Sequence, residues 1–426
     1  TCAMLSLDFI RQHPDMVRAG LHSRRDSQDI DEIIRLIEQR KGLATRCDGL
    51  HVSLKRLHET AHPAGSERKR DEFSRQSKAI TNDIRLLELQ ISDIETRIQP
   101  LLLNLPNLPH ADVRDGGEHH KDHVARSWGE SLQFYFMPKP HWELSERLGL
   151  TDFESGTRMS GSRFVVLKGL GARLERSLIS FMLDVHTREH GYTEILPPYL
   201  VKRALMIGAG QLPKFEDQAY LCTEDELYLN PTAEVPLVGL HSNSILHVGT
   251  LPLYYAAWTS AFRREVGSAS RQNRGLQRLH QFNKVELFKI VDPQSSPAAL
   301  EQLITHAETI LRRLELPYRV VELCARNLPF AAAKAVDLEV WMAGQNRYLE
   351  ISSISNCETF QARRADIKYR PRQSARAEFV HTLNASGLAV GRTMAAILEA
   401  YQQADGTIIV PKVLRPYMGV SLIGER

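Results

Sequence analysis

The chain has 426 residues, 42% hydrophobic and 25% charged, which allows two or three globular domains; its net charge of +3 does not by itself indicate a nucleic-acid partner. No apolar run approaches the roughly 18 residues of a membrane span, and residues 1–10 lack a secretory signal pattern, so we expect a cytoplasmic protein without a membrane partner. The five cysteines are scattered without a Cys-x-x-Cys pair, which argues against a disulfide framework and predicts no zinc.

Two long helices with an apolar seam are predicted at the start of the chain. Apolar residues recur at three- and four-residue intervals over 33–57, with Arg40 as the one interruption, and over 80–101 without a break. The segment between them contains the turn formers Pro63 and Gly65. The simplest structure is an antiparallel helical hairpin with about 30 residues in each helix, roughly 45 Å long.

The turn end of this hairpin is its basic end. Residues 46–78 contain eight basic and five acidic side chains, whereas residues 79–100 contain two basic and four acidic ones. A basic tip on a projecting helical pair is typical of contact with nucleic-acid phosphates. The residues expected to make that contact are Lys55, Arg56, Arg68, Lys69 and Arg70. The same pattern also fits a dimerisation coiled coil with solvated charges, and both interpretations stay open.

The composition changes after the hairpin. Residues 105–127 are rich in proline, glycine, histidine and charge, and are predicted to link an N-terminal arm over 1–104 to a larger domain over 128–426. Within that domain helices and strands alternate irregularly, and one helix is predicted over 171–189 after a glycine-containing turn. No repeat of 20–50 residues is present, so the larger domain is not a solenoid.

A long β-hairpin over 253–288 carries the most unusual polar pattern. Two strand-like runs enclose a polar loop at 266–275. Read at period two, one face of the second run places Arg278, Phe282 and Glu286 in a row, each about 13 Å from the next. A cation, a flat ring and an anion match the phosphates and base of a nucleotide and the amine of an amino acid. A salt-bridged face with the ring in the core explains the spacing equally well.

The hairpin FRREVGSASRQNRGLQRLHQFNKVELF resembles motif 2 of a class II aminoacyl-tRNA synthetase, in the form found in seryl-tRNA synthetases. Other segments resemble the same family, in chain order and over nearly the whole chain. They are PKPHWELSERLGLTDFE (138–154), SGSRF (160–164), GQLPKFED (210–217), NPTAEVPL (230–237), LEISSISNCETFQARR (349–364) and LNASGLAVGRTMAAILEAYQQADGTIIVPKVLRPYMG (383–419). The chain is therefore identified as a member of this family.

The resemblance implies an α+β fold. An N-terminal antiparallel coiled-coil arm would precede a catalytic domain built on a mixed, mainly antiparallel sheet flanked by helices. The family works as a homodimer, with residues 171–199 near the interface. Its members activate L-serine with Mg-ATP to seryl-adenylate and transfer serine to the 3′ end of tRNA(Ser), and they commonly charge tRNA(Sec) as well. Positioning and electrostatics carry this chemistry, because no side chain has to act as a nucleophile.

The resemblance also assigns roles to individual residues. Arg263 and Arg392 are the implied catalytic residues. The implied ATP-binding residues are Arg263, Glu265, Arg278, Phe282, Glu350, Ser353 and Arg392. Glu350 and Ser353 are implied to coordinate magnesium, which prefers oxygen ligands. The implied serine-binding residues are Thr232, Glu234, Arg263, Glu286, Asn384 and Ser386.

Three alternatives stay open at this point. The chain would be a synthetase-like protein with a non-catalytic binding role, an activator that loads a carrier protein instead of tRNA, or a zinc-dependent relative. Retention of the implied site residues disfavours the first, the helical arm disfavours the second, and the scattered cysteines disfavour the third. The first arm helix, LHVSLKRLHETAH (50–62), departs from the pattern usual in bacterial members, which leaves the choice of tRNA open.

Overall fold

The computed structural model describes residues 6–60, 67–115, 121–130, 132–267 and 274–424. Its described residues form two compact units, 6–22 with 26–105 and 23–25 with 106–424. The turn formers Pro63 and Gly65 and the side chain of Lys69 lie outside what is described. Over these same ranges, none of the helices is both long and apolar enough to cross a membrane.

The first unit is entirely helical. Its helices are α1 (Leu7–Gln12), α2 (Pro14–Ser23), α3 (Asp31–Glu59) and α4 (Glu67–Leu103). The 29 residues of α3 and the 37 residues of α4 correspond to lengths of roughly 44 and 55 Å. The two long helices pack against each other. The predicted helical arm is confirmed.

The apolar seam of the sequence is what holds α3 to α4. Cys47, Ile84 and Leu87 are buried in it. Leu43, Leu50, Leu54, Ile80 and Ile91 pack around them. Arg40, the one interruption of the seam, donates from Nε to Glu95 Oε1 on the facing helix at 2.8 Å, which gives this polar residue a partner across the interface.

The strands of the second unit are numbered in chain order. They are β1 (His123–Trp128), β2 (Thr151–Asp152), β3 (Val166–Leu167), β4 (Thr193–Glu194), β5 (Leu200–Lys202), β6 (Leu221–Cys222), β7 (Leu227–Leu229), β8 (Ser244–Leu246), β9 (Leu253–Phe262), β10 (Gln281–Val291), β11 (Tyr318–Glu322), β12 (Lys334–Met342), β13 (Arg347–Glu358), β14 (Ile367–Tyr369), β15 (Glu378–Phe379), β16 (His381–Ala389), β17 (Ile408–Ile409) and β18 (Leu422–Ile423).

Eight of these strands form the central sheet, in the order β1-β11-β12-β13-β16-β10-β9-β4. Neighbours are antiparallel except β4 and β9, so the predicted mixed, mainly antiparallel sheet is confirmed. Strand β1 begins at His123, and the last residues of the segment expected to be a linker therefore pair with β11 at the sheet edge.

Helices flank the sheet. They are α5 (His141–Arg147), α6 (Phe153–Ser160), α7 (Leu170–Arg188), α8 (Arg203–Gly208), α9 (Glu234–Gly239), α10 (Ser296–Arg313), α11 (Phe360–Ala365), α12 (Val390–Ala400) and α13 (Arg415–Met418). Helix α7 is the one predicted over 171–189. Gly171 lies where a Cβ would come within 2.3 Å of the Leu150 carbonyl oxygen, so this close approach requires glycine.

The two faces of the sheet differ in chemistry, and β10 shows this most clearly. Val285 and Leu287 belong to the main apolar core, together with residues of α7 and α10. Lys284 and Glu286 alternate with them and point to the opposite face. The opposite face is polar only at Lys284 and Glu286, because Phe288 and Ile290 further along it belong to a second apolar cluster.

The long hairpin is present, with one difference from the expectation. Strands β9 and β10 pair antiparallel from Phe262↔Gln281 to Leu253↔Ile290. Residues 275–277 form a short 3₁₀ helix, and β10 begins only at Gln281. Arg278 and His280 therefore precede the strand, and the even row expected along one strand face starts at Phe282.

Candidate active site

A cavity of about 290 Å³ opens on the polar face, above β10, β13 and β16. It gathers residues that the sequence distributes over more than 150 positions. Its charged and polar lining residues are Glu234, Arg263, Glu265, Gln277, Arg278, Lys284, Glu286, Glu350, Ser353, Ser355, Asn384, Ser386 and Arg392, with the ring of Phe282 among them. Thr232, also expected in the site, lies directly behind Glu286 and binds its carboxylate.

One end of the cavity is built around the carboxylate of Glu286. This residue is 1% exposed, and its Oε2 accepts a hydrogen bond of 2.9 Å from the hydroxyl of Thr232. The ammonium of Lys284, two residues earlier on the same strand face, forms an ion pair with the same carboxylate. A buried charge needs such partners, because an unpaired one is strongly destabilising.

A second carboxylate, Glu234, faces this pair from the first turn of α9. Its Oε1 accepts hydrogen bonds from the side-chain amides of Asn384, at 2.8 Å, and Gln361. Burial, and next the charge of Glu286, raise the pKa of Glu234 to about 7. Two carboxylates and one ammonium leave this end of the cavity one negative charge when all are ionised.

Arg263 stands between this acidic end and the aromatic ring. It follows β9 directly, and its backbone N–H donates to the His280 carbonyl at 2.9 Å. Its Nε donates to the Pro231 carbonyl at 3.2 Å, and its guanidinium carbon lies 5.3 Å from the centre of the Phe282 ring. Burial lowers the pKa of Arg263 from its ordinary value of 12.5.

Two further arginines at the other end are each paired with an acidic residue of the same cavity. Arg278 forms an ion pair with Glu265 through Nε. Arg392 contacts Glu350 twice, from Nη1 to Oε1 at 3.2 Å and to the backbone oxygen at 2.7 Å. These cations are half-exposed, so they are within reach of an anionic ligand that enters the cavity.

Oxygen donors suited to a hard cation lie beside Glu350. Strand register places Glu350 opposite Glu339 and Ser353 opposite Asp337. The buried Oδ1 of Asp337 has no hydrogen-bond partner among the described residues. Burial, followed by the charge of Glu350, raises the pKa of Asp337 to about 8. A carboxylate and a hydroxyl backed by an unsatisfied carboxylate oxygen fit magnesium.

Several residues that shape the cavity are absent from the sequence-based assignment. Lys284 lies on the same predicted strand face as Phe282 and Glu286, so its spacing in the sequence could have indicated that it lines the cavity. Gln361 is fully buried and reaches Glu234 from α11, more than 120 positions away, and no local pattern indicates that contact. Asp337 likewise acts on Ser353 only through strand pairing.

His141 fixes the backbone just before Arg278. Its Nε2 accepts the Leu276 N–H at 3.1 Å, so its proton lies on Nδ1, which donates to the buried Glu399 at 2.8 Å. Gly275 has a φ of +69°, and a Cβ there would come within 2.4 Å of His141 Nε2. This packing requires glycine and explains why the chain turns here before the strand begins.

The residues expected to contact tRNA lie on the two long helices of the other unit. Lys55 is 79% exposed in its side chain and lies 4.0 Å from Glu59, an exposed pair that does not neutralise the surrounding surface. Arg56, Arg68 and Arg70 are also exposed. These side chains flank the ends of α3 and α4 nearest the connecting segment.

Known proteins resemble the chain in sequence and in structure. The family models for the seryl-tRNA synthetase N-terminal domain and the tRNA synthetase class II core domain (G, H, P, S and T) match residues 4–109 and 215–401. A serine–tRNA ligase of Thermomicrobium roseum is 50% identical over 420 residues, which cover 98% of this chain and 94% of that relative. One from Caldanaerobacter subterraneus is 47% identical over 423 residues, 99% of each. The crystal structure of seryl-tRNA synthetase from Pyrococcus horikoshii complexed with ATP has a TM-score of 0.91 and 35% identity, and the match covers 98% of this chain and 99% of that one.

Proposed function

The chain belongs to the seryl-tRNA synthetase family, the serine–tRNA ligases with a class II core, and we propose that the cavity on its central sheet forms seryl-adenylate from L-serine and Mg-ATP before passing serine to the 3′ end of tRNA(Ser). The main observation behind this proposal is that four groups line a single cavity. They are the carboxylates of Glu234 and Glu286, the guanidinium of Arg263 and the ring of Phe282. The acidic pair matches the amine of serine, the guanidinium matches the serine carboxylate and the neighbouring phosphate of ATP, and the ring matches the adenine base.

Charge and hydrogen bonding account for serine. The single negative charge left by Glu234, Glu286 and Lys284 complements the serine ammonium group, and Arg263 complements its carboxylate. Asn384 and Ser386, on one face of β16, are placed to hydrogen-bond the hydroxyl. A bound alanine would cover these polar groups without giving them a partner, so its rejection by about 10³-fold or more is expected, whereas threonine is rejected by size alone.

The first chemical step needs alignment more than reactive side chains. An oxygen of the serine carboxylate attacks the α-phosphorus of ATP, the new C–O–P linkage forms, and the bond from that phosphorus to the bridging oxygen breaks to release pyrophosphate. Arg263 would bind both the serine carboxylate and the α-phosphate, and so would stabilise the charge that builds up between them. In the second step a ribose hydroxyl of tRNA attacks the carbonyl carbon of the adenylate, and AMP leaves.

Binding of the outer phosphates of ATP would replace the ion-pair partners of two arginines. Arg278 and Arg392 are paired with Glu265 and Glu350, and the β- and γ-phosphates of ATP would draw both guanidinium groups toward them. Glu265 would then turn to the adenine, which stacks on Phe282. Magnesium, when bound with ATP, neutralises phosphate charge, and Glu350 and Ser353 are the residues that would hold it.

We place tRNA binding on an arm formed by residues 1–104, joined by 105–127 to a catalytic domain over 128–426. Exposed basic side chains near the connecting segment suit contact with phosphates and with the shape of a folded RNA rather than base reading. tRNA(Sec) presents the same kind of surface and is a second acceptor to test. Four cysteines among the described residues are outside any disulfide, which fits a cytoplasmic setting.

We further propose a homodimer. Leu196, in the segment 171–199 expected at the interface, is 75% exposed, and a large apolar side chain at that exposure suits burial against a second copy. Sedimentation of the purified full chain decides between a dimer and a monomer, and Leu196→Asp is expected to shift a dimer toward the monomer.

Charging of bulk tRNA with labelled serine tests the proposed function. The purified full chain, supplied with serine, ATP and magnesium, is expected to form acid-precipitable seryl-tRNA, and alanine in place of serine is expected to give none. Adenylate formation without any tRNA charging would instead support the carrier-protein alternative. A folded protein that neither forms the adenylate nor charges tRNA would support the non-catalytic alternative.

A further inference from the structure

Three residues with metal-binding side chains meet midway along the helical arm. Cys47 and His51 lie on α3, and Glu88 lies on α4. One ligand atom of each, the thiol sulfur, a ring nitrogen and a carboxylate oxygen, lies within 4.8 Å of the other two. His51 Nε2 and Glu88 Oε1 are 4.0 Å apart. None of the three has a part in the active site described above.

The packing of the arm sets this arrangement. Cys47 and His51 are four residues apart on one helix, so they project from the same face. Cys47 is buried in the seam against Ile84 and Leu87. Glu88 follows Leu87 directly in the sequence. Its carboxylate therefore lies at the edge of the apolar seam, next to His51.

Two ordinary roles explain part of this cluster. A buried cysteine packs as a small apolar residue, and an exposed histidine–carboxylate pair contributes little to stability. Neither role requires a thiol, an imidazole and a carboxylate to converge. The side chains of His51 and Glu88 are 54% and 60% exposed, so both have room to move. We expect changes of rotamer at His51 and Glu88 to bring the three donors to the separation of about 3.5 Å that tetrahedral zinc needs.

We propose that Cys47, His51 and Glu88 bind one zinc ion between α3 and α4, with water as the fourth ligand. A thiolate and a carboxylate supply two negative charges, which balance the charge of the ion, and the imidazole binds as the neutral base. The thiolate and imidazole favour zinc over magnesium or calcium, which prefer oxygen ligands. Zinc binds the thiolate form of cysteine, so binding releases the thiol proton to the solvent.

The site would fix the two arm helices to each other at one level. Cys47 is about 24 Å along α3 from its first residue, so the ion ties the helices together well inside the arm. An apolar seam alone resists separation of helices better than it resists sliding, whereas three ligands from two helices resist both. This proposal departs from the expectation of no zinc, which rested on the scattered cysteines and took no account of a ligand from the other helix.

Cobalt(II) is a spectroscopic probe for this site. The full chain is stripped of metal with a chelator and titrated with Co²⁺, and the near-ultraviolet thiolate-to-cobalt band and the visible bands of tetrahedral cobalt are recorded. We expect one equivalent of Co²⁺ to give both sets of bands and one equivalent of Zn²⁺ to remove them. Zinc is also expected to raise the midpoint of thermal unfolding of the arm, followed by its helical circular dichroism.

Matched variants assign the ligands. Cys47→Ala is expected to abolish the thiolate band. His51→Ala and Glu88→Gln change exposed side chains, so the arm stays folded, and each is expected to weaken zinc binding at least about tenfold, since even outer-shell partners of zinc are worth about 10- to 100-fold. His58→Ala, another exposed histidine of α3, and Cys222→Ser, a half-buried thiol outside the arm, are expected to bind zinc as the wild type does.

Two results would overturn the proposal. One is a thiolate band that persists in Cys47→Ala and disappears in Cys222→Ser. The other is a full chain that binds Co²⁺ without a thiolate band, or with an affinity that His51→Ala and Glu88→Gln leave unchanged.

Discussion

The ammonium of Lys284 forms an ion pair with the carboxylate of Glu286 two residues away on β10, and Glu286 is 1% exposed. The pair lies at the end of the cavity proposed to receive the amino group of serine. Thr232 donates to the same carboxylate, so the charge of Glu286 is held by partners on two different elements. The site is thus prepared before a ligand enters, and the first prediction concerns what happens when one partner is removed.

Replacing Lys284 with methionine is predicted to destabilise the protein by about 3 kcal/mol, because a nearly buried carboxylate loses its counter-charge. Urea unfolding at neutral pH, followed by circular dichroism, measures the loss of stability. The double variant Lys284→Met/Glu286→Gln is expected to recover much of the stability, since it removes both charges. A double variant less stable than the single one would show that the two residues do not act as a pair.

Arg263→Lys is predicted to lower the rate of adenylate formation by about 10²- to 10³-fold with little change in stability. Lysine keeps the charge but cannot bind a carboxylate and a phosphate with one planar group. Stopped-flow measurement of the first turnover isolates this step. The neighbouring Arg264 is exposed, and Arg264→Lys serves as the control expected to behave as the wild type. Equal decreases in both variants would contradict the assigned role of Arg263.

Serine binding is predicted to strengthen as pH rises through about 7. The pKa of Glu234 is raised to about 7, so this carboxyl is largely neutral below that pH and becomes an anion above it, when it attracts the serine ammonium group. Calorimetric titration of serine between about pH 6 and 8, without ATP, gives the profile. Glu234→Gln is expected to remove the inflection and bind serine weakly throughout. An inflection that survives in this variant would assign the titration to another group.

The same pKa predicts an opposite effect on stability. Between its ordinary value of 4.5 and about 7, Glu234 holds a proton in the folded chain that the unfolded chain has released. Its contribution to folding therefore becomes less favourable as pH rises through that window. Glu234→Gln is expected to be more stable than the wild type by about 1–2 kcal/mol at about pH 8, and not at about pH 4.5. Thermal unfolding at both pH values tests this, and a variant less stable at the higher pH would refute it.

Removing positive charge from the basic end of the helical arm is predicted to weaken tRNA binding without changing serine activation. The double variant Lys55→Ala/Arg56→Ala is expected to raise the KM for tRNA and to reduce the salt dependence of binding, by about 0.7–0.9 in slope for each phosphate that the variant no longer neutralises. Arg85→Ala, on the same arm and in the segment without excess basic charge, is the matched control. Identical effects in both variants would place tRNA binding elsewhere.

Patterns local in sequence predicted much of the fold and most of the cavity. The seam of α3 and α4 follows from its three- and four-residue spacing, which a helix turns into one apolar stripe. Arg278, Phe282 and Glu286 do line one cavity, as the alternation of a strand predicts. The strand nevertheless starts later than expected, because a 3₁₀ helix occupies 275–277, next to His141 from more than 130 positions earlier.

The features that the sequence did not predict depend on contacts between elements that are far apart in the sequence. Gln361 reaches Glu234 from another helix, and Asp337 reaches Ser353 only through the pairing of β12 with β13. The grouping of Cys47 and His51 with Glu88 depends on the register in which α3 packs against α4. Sequence spacing describes the face of one element, and these contacts depend on which faces meet.

Pyrophosphate exchange into ATP tests the central claim most directly, because it reports adenylate formation without any need for tRNA. The purified full chain is assayed with magnesium and ATP, and with serine, alanine or threonine as the only amino acid. Rapid exchange with serine and a rate at least about 10³-fold lower with alanine is the predicted result. No exchange with serine from a folded protein, or equal exchange with alanine, would contradict the claim that this cavity activates serine.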